Sequence, residues 1–391
     1  MINEQKVTPV SDMMYFDHAA TTPVHPRVLE AMTPYLTQVF GNPSSVHGFG
    51  REARKALEQA RDQIAAFMDA DPQSLIFTGS GTEADNLAII GGAMAQRERG
   101  RHIITSQIEH HAVLHACEYL EQEGFEVTYL PVDETGSVRL ADLKEAVRPD
   151  TVLVSIMYGN NEVGTIQPIE EIGTFLREKG ILFHTDAVQA FGVLPIRVRQ
   201  LPVDMLSVSA HKINGPKGVG ALYLAKKVPI EPILHGGSQE RNRRAGTENL
   251  AGIVGFAEAT KVTEEEMDDR VSKYKRMKEE MQAVWKEAGI AYQVNGHPEM
   301  VMPHVFNVSF VGVHTETMLM NLDLVHIAAS SGSACTSGSL ELSHVLKAMH
   351  LEDSVSHSAI RFSFGITNTV EEARRAADAV AKIVQRLVKR A

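Results

Sequence analysis

The sequence predicts an α/β fold, with a mostly parallel central sheet covered by helices and a smaller α+β domain at the C-terminal end. Three observations carry this reading. Short apolar runs alternate with helix-length stretches through the first two thirds of the chain. Near residue 259 the composition shifts, and Glu264-Glu265-Glu266 opens a long, charged helical segment to about residue 288. Two further strand-like runs, 305–310 and 360–364, then precede a closing helix at about 370–389.

Taken in order, residues 1–14 read as a polar leader without the apolar core of a signal peptide. The pattern over 51–70 is helical. Residues 75–77, 102–105, 127–130, 152–156, 181–184, 203–208 and 219–224 read as strands, and helix-length segments lie between most of them. That rhythm buries a parallel sheet on both faces and gathers ligands at the C-terminal ends of its strands. The expected domains are 15–260 and 261–391, with no internal repeat.

Composition narrows the function classes. The 391 residues are 43% hydrophobic and 22% charged, enough for a sizeable core. A net charge of −11 argues against a broad nucleic-acid surface, and no apolar run is long enough to span a bilayer. The two cysteines, Cys117 and Cys335, form no CxxC pair or disulfide framework, which points to reduced thiols and a cytoplasmic location.

Lys212 is the most informative residue. It follows the strand holding Val203, Met205, Leu206 and Val208, sits beside Ser209 and His211, and precedes a Gly215-Pro216-Lys217-Gly218 turn that stops any helix. A lysine at a rigid strand end is placed to form an imine rather than to carry a solvated charge. Partners for pyridoxal phosphate occur upstream. Thr78-Gly79-Ser80-Gly81-Thr82-Glu83 joins a strand to a helix and offers free N–H groups to a phosphate, or is a plain helix cap. Asp186, with Gln189 three residues on, ends a strand where a buried carboxylate needs a cation such as a protonated pyridine, or else caps the next helix.

His110 follows the strand at 102–105 and could lie on a cofactor ring; the alternative is a capping or core histidine. His111 and His115 have the i, i+4 spacing of a zinc pair, but no third ligand is evident and no metal is expected. Asn160-Asn161-Glu162 follows another strand and suits contact with a ring hydroxyl or a carboxylate, or a simple Asx turn. Cys335 lies in a run of small residues, 330–339, where an exposed and reactive thiol would sit, whereas Cys117 reads as core. Arg361, in an apolar strand, suits bidentate capture of a carboxylate or an internal salt bridge.

With these residues in place, the chain resembles a cysteine desulfurase of the IscS/NifS-like branch of the class V aminotransferase family. The matching blocks run from Tyr15-Phe16-Asp17-His18-Ala19-Ala20-Thr21-Thr22-Pro23 to Arg361-Phe362-Ser363-Phe364-Gly365. Between them lie Gly41-Asn42-Pro43-Ser44-Ser45, Asn160-Asn161-Glu162-Val163-Gly164, His184-Thr185-Asp186-Ala187-Val188-Gln189, Ser209-Ala210-His211-Lys212, Arg244-Ala245-Gly246-Thr247 and the serine-rich run ending at Cys335. Ala210 is one departure, standing where relatives often have glycine.

The resemblance implies a homodimeric enzyme of the fold type I class that uses pyridoxal 5′-phosphate. Lys212 would hold the cofactor covalently, Asp186 would pair with its pyridine nitrogen, Gln189 would meet the ring hydroxyl region and His110 would stack on the ring. Gly81, Thr82, Ser209 and His211 would hold the phosphate, with Thr247 of the other subunit. Asn161 would contact cofactor and substrate, and Arg361 the substrate carboxylate. The implied reaction converts L-cysteine to L-alanine, with sulfur captured on Cys335 as a persulfide and passed to an acceptor protein for iron–sulfur cluster assembly, thio-cofactor synthesis or tRNA thiolation. Other readings are a selenocysteine lyase or small-substrate aminotransferase of the same fold, a non-catalytic scaffold, and a metal-dependent hydrolase resting on the histidines alone.

Overall fold

The computed structural model describes residues 13–332 and 342–389. Seven strands form the main sheet: β2 (Leu75–Thr78), β3 (His102–Ser106), β4 (Glu126–Leu130), β5 (Thr151–Ser155), β6 (Leu182–Asp186), β7 (Met205–Ser209) and β8 (Gly220–Leu224), after the short β1 (Met14–Tyr15). Their order across the sheet is β2-β8-β7-β6-β5-β3-β4. Only β8 runs antiparallel to its neighbours, so β2, β3, β5, β6 and β7 all end at the same edge.

Every residue of β3, β5, β6 and β7 is buried. This explains why they read as unbroken runs, since helices cover both faces and leave no solvent side to alternate against. One face packs Phe77, Ile104, Val154, Phe183 and Leu206, and the other Ile76, Ile103, Leu153, Leu182 and Met205. Polar residues enter near the strand ends and find partners there. The His184 ring bridges Ser155 Oγ and Ser207 Oγ, each at 2.9 Å, and so ties β5, β6 and β7 together.

A single 38-residue helix, Leu250–Glu287, runs through the expected boundary at 260. Its first turns bury Leu250, Ile253 and Phe256 in the large core, while Tyr274, Met277, Met281 and Trp285 belong to a second core. The acidic run that marked the boundary lies between the two buried stretches, where Glu264 and Glu265 are exposed. The second core covers an antiparallel sheet of β9 (Gln293–Asn295), β10 (Val305–Ser309) and β12 (Ala359–Ser363), in the order β12-β10-β9. The helix Val370–Val388 closes this core, and its start is fixed by a capping box between Thr369 and Glu372.

The start of the chain is sewn to this second unit. β1 pairs in parallel with β11 (Ile327–Ala328), and Phe16 is buried among Phe362 and Phe364. Met14, the last residue of the expected leader, is therefore part of a sheet. Two-residue strands carry no periodicity, so the sequence offers no sign of this pairing.

Candidate active site

A cavity of about 400 Å³ opens where the main strands end, and it is lined from both units of the chain. β2 leads into Ser80, Gly81 and Thr82, while β3 leads to His110 and β5 to Met157 and Asn161. β6 ends at Asp186, and β7 leads to Ser209, His211 and Lys212. Gly332 and Arg361 close the wall from the second unit.

The β2 turn is built as an anion cradle. Ser80 caps the following helix by accepting from the Glu83 N–H at 3.1 Å. Glu83 in turn accepts from the Gly79 N–H at 2.7 Å and pairs with Arg244 at 2.6 Å, which fixes the turn. A Cβ on Gly81 would fall 2.7 Å from Val188 Cγ2, so only glycine lets the turn approach so closely. Ser209 Oγ is buried with no protein partner among the described residues. A buried hydroxyl of this kind needs a partner, and a phosphate oxygen beside the helix N-terminus would supply one. These residues therefore fit the phosphate of pyridoxal phosphate.

Asp186 is buried, and its Oδ1 accepts from the Val188 N–H at 2.8 Å. No helix follows Asp186, so its side chain closes a turn instead of capping a helix, while the carboxylate still lines the cavity. Burial raises its pKa to about 6, partly opposed by the Val188 hydrogen bond and the Lys212 charge. Asp85 also lines the cavity and is pushed well above the usual range by burial and by Asp186.

Lys212 reaches across from the end of β7. Its Nζ donates to the carbonyls of Ala19 and Ala20, the latter at 2.9 Å. His110 caps the helix His111–Gln122, with Nδ1 accepting from the Ala112 N–H at 3.1 Å, and it lines the cavity as well. Burial, then the charges of Lys212 and neighbouring histidines, lowers its pKa to about 4, so the ring is neutral and carries its proton on Nε2. Gln189 is held from both ends: Nε2 donates to the Ala19 carbonyl at 2.8 Å, and Oε1 accepts from His304 Nε2 at 3.2 Å. His211 Nδ1 lies 3.1 Å from Thr21 Oγ1.

The Asn160–Asn161 pair divides its labour. Asn160 makes the Asx turn, accepting from the N–H groups of Glu162 and Val163, and Asn161 lines the cavity. Arg361 forms the internal salt bridge, Nη2 to Asp17 Oδ1 at 2.7 Å, and Nη1 donates to the carbonyls of Asn161 and Gly332. The Nε–H has no partner among the described residues. The guanidinium is thus fixed in place, and the internal salt-bridge reading of Arg361 holds.

One expected site residue stands apart and another is not described. Thr247 lines a different cavity with Thr78, Gly79, Glu240 and Arg244. Cys335 lies outside the described residues. Cys117 is fully buried, and burial pushes its thiol pKa well up, as befits a core residue. The rings of His111 and His115 are 5.1 Å apart, and those of His111 and His344 are 4.9 Å apart. Among the described residues, however, no group of three or more His, Cys, Asp or Glu could hold a metal ion.

Sequence reasoning missed Asp85, Ala19, Ala20, His304 and Glu109. Ala19 and Ala20 act through backbone carbonyls and give no side-chain signal. Glu109 is buried behind His110, where Oε1 accepts from Ser106 Oγ at 2.5 Å and from the Met157 N–H at 3.0 Å, and burial raises its pKa to about 8. An acid raised in this way stabilises the fold fully below its unfolded value, near 4.5, and loses that contribution as pH rises through 8. Glu109→Gln is therefore expected to melt about 5 °C above the parent at pH 9 and within about 2 °C of it at pH 5, as thermal melts across pH would show. The lowered histidines His18, His110 and His211 act on the other side, removing stability as pH falls from about 6.5 toward 4.

Fold and cavity together define an α/β enzyme that presents a lysine, a buried carboxylate and an anion cradle at the ends of parallel strands, as fold type I enzymes do. The aminotransferase class-V model matches residues 14–375, and the chain belongs to this family. It is 56% identical to the putative cysteine desulfurase IscS 1 of Bacillus subtilis (strain 168), over 96% of this chain and 100% of that protein. A solved NifS-like protein superposes with a TM-score of 0.90 at 39% identity, covering 96% of this chain and 100% of its own. A structure described as SspA in complex with cysteine superposes with a TM-score of 0.80 at 37% identity, covering 90% and 98%.

Proposed function

We propose that this chain is a cysteine desulfurase that converts L-cysteine to L-alanine and leaves the sulfur on Cys335 as a persulfide. The observation that carries the reading is one cavity shared by Lys212 Nζ, the Asp186 carboxylate, the unpartnered Ser209 hydroxyl and Arg361. The activities named for the relatives agree with it.

Bound in this cavity, pyridoxal phosphate supplies an aldehyde that condenses with amines and a ring that accepts an electron pair from the substrate. Gly81, Thr82, Ser209 and His211 would hold its phosphate, and Lys212 its aldehyde carbon. Asp186 would keep the ring nitrogen protonated, Gln189 would meet the ring hydroxyl side, and His110 would cover the ring face. Arg361, held by Asp17, orients the cysteine carboxylate, with Asn161 beside it. Lys212 Nζ then takes the Cα proton, and the neutral His110 keeps a proton on Nε2 within the cavity. Cys335 attacks the substrate sulfur as a thiolate.

A homodimer accounts for two features that one chain leaves open. Thr247 lines a cavity other than the one that holds Ser209, and its phosphate role would be filled from a second copy. Leu29, Leu36, Phe40, Val46 and Phe49 also expose large apolar side chains close together in sequence. Transfer onward to an acceptor protein, for iron–sulfur cluster assembly or thiolation, follows from the persulfide, and a reduced thiol chemistry suits the cytoplasm.

The test is stoichiometric. Incubated with L-cysteine and a reductant, the purified protein is expected to release alanine and sulfide in equal amounts. Cys335→Ala should keep the yellow bound cofactor and lose at least about 100-fold in sulfide release, since the nucleophile itself is gone. Full sulfide release by that variant would remove Cys335 from the reaction. Alanine made only when a keto acid is added would mark an aminotransferase instead.

A further inference from the structure

We propose that Glu162 is a positioning residue for sulfur transfer: one buried carboxylate pins both roots of the segment that carries Cys335. The proposal rests on the desulfurase reading above. Glu162 is 2% exposed and does not line the cavity, so it acts through its neighbours. Its Oε2 accepts from Ser343 Oγ at 2.6 Å. The same oxygen would lie 2.7 Å from a Cβ on Gly332, a residue with φ of +103°, so Gly332 packs directly against it. Gly332 precedes the undescribed residues 333–341, and Ser343 follows them closely. Two chain positions eleven residues apart thus meet on a single side-chain atom.

The carboxylate is itself held in place. The Glu162 N–H donates to Asn160 Oδ1 at 2.8 Å, and its carbonyl accepts from Asn307 Nδ2 at 3.0 Å. Each root has a second tie to the site. The Gly332 carbonyl accepts from Arg361 Nη1 at 3.1 Å, and His344 Nε2 meets the Glu109 carbonyl at 2.9 Å beside His110. Cys335 stands three residues after Gly332 in the sequence. Because Gly332 lines the cavity, fixing that root fixes where the thiol can reach.

The step at stake is balanced within the protein and its substrate. The Cβ–S bond of cysteine breaks and an S–S bond to Cys335 forms. Cβ is reduced by two electrons and gains a proton, while the sulfur pair is oxidised by two electrons to the persulfide. Misplacing a nucleophile by about 1 Å slows such a step by about 100-fold.

The experiment compares Glu162→Ala, Glu162→Gln and Ser343→Ala in the cofactor-loaded protein. It measures the KM and kcat for alanine formation, the change in cofactor absorbance on adding cysteine, and the persulfide on Cys335 by mass. Glu162→Ala is expected to lower kcat and persulfide formation by about 10- to 100-fold while KM stays within about threefold and the cysteine-induced absorbance change persists. Glu162→Gln, which keeps an acceptor for Ser343, is expected to restore kcat to within about threefold of the parent. Parental kcat in Glu162→Ala, or equal losses in the Ala and Gln variants, would overturn the proposal. If Glu162→Ala fails to fold, Ser343→Ala decides alone: a kcat loss with unchanged KM supports the pin, and a parental kcat overturns it. A parent that makes no alanine from cysteine would sink the desulfurase reading instead, which keeps the two failures apart.

Discussion

Lys212→Ala is expected to abolish alanine formation, by at least about 1,000-fold, because one amine serves two tasks. It would hold the cofactor covalently, and once displaced by substrate it would take the Cα proton. The side chain is placed for both. It leaves the end of β7 at a 3-10 turn, Ala210–Lys212, and its Nζ is drawn to the Ala19 and Ala20 carbonyls on the far wall. Asp186, whose own pKa the Lys212 charge lowers, faces the same space. Reduction with borohydride should leave the cofactor attached to the parent and not to the variant, as peptide mass would show. The variant should still bind cofactor reversibly, because the Ser209 cradle and Asp186 are untouched. Covalent attachment persisting in Lys212→Ala would overturn the assignment.

The second large effect is expected from Asp186→Asn, a loss of about 100- to 1,000-fold in kcat. Asparagine keeps an oxygen for the Val188 N–H but removes the charge. At neutral pH the carboxylate is ionised despite burial, since burial brings its pKa only to about 6. That charge is what would keep a pyridine nitrogen protonated and the ring electron-poor. Asp85 is a poor substitute, because burial and the Asp186 charge push its pKa well above the usual carboxylate range.

A separate signature comes from stability without cofactor. An acid whose pKa is raised in the fold loses its stabilising contribution as pH rises through that value, here about 6. The cofactor-free parent should therefore lose stability between about pH 4 and 7 relative to Asp186→Asn, whose amide does not titrate. Thermal melts of both proteins across that range would show the difference. Parental activity in the Asn variant would remove Asp186 from the chemistry.

Much of the site was legible because its residues sit beside local signals. Strands buried on both faces read as unbroken apolar runs, and Asp186, Ser209, Lys212 and His110 stand where such runs end. The Gly79–Gly81 turn was legible because a strand, a glycine pair and a helix start lie in consecutive residues. Several of these residues make a local structural contact and also line the cavity. Asp186 and His110 cap a backbone turn and line the cavity. Arg361 is an internal ion pair and also keeps an unpaired Nε–H.

What escaped the sequence shares one property, large separation along the chain. Lys212 meets Ala19 across 193 residues, Arg361 meets Asp17 across 344, and Ser343 meets Glu162 across 181. No periodicity links such pairs. β1 and β11 are too short to show alternation, and the helix Leu250–Glu287 hides the passage between two cores inside one continuous pattern. Glu109 and His304 gave no sign because burial, a property of neighbours, is what makes them unusual.

The sequence by itself determined the order of strands and helices, the turns that end the strands and the chemical identity of each candidate group, because periodicity and turn chemistry act over a few residues. Tertiary structure alone decided which of these groups meet in one cavity, which carboxyls stay neutral and which side chains pin distant segments. Those outcomes depend on desolvation and on contacts between segments that only the folded chain brings together.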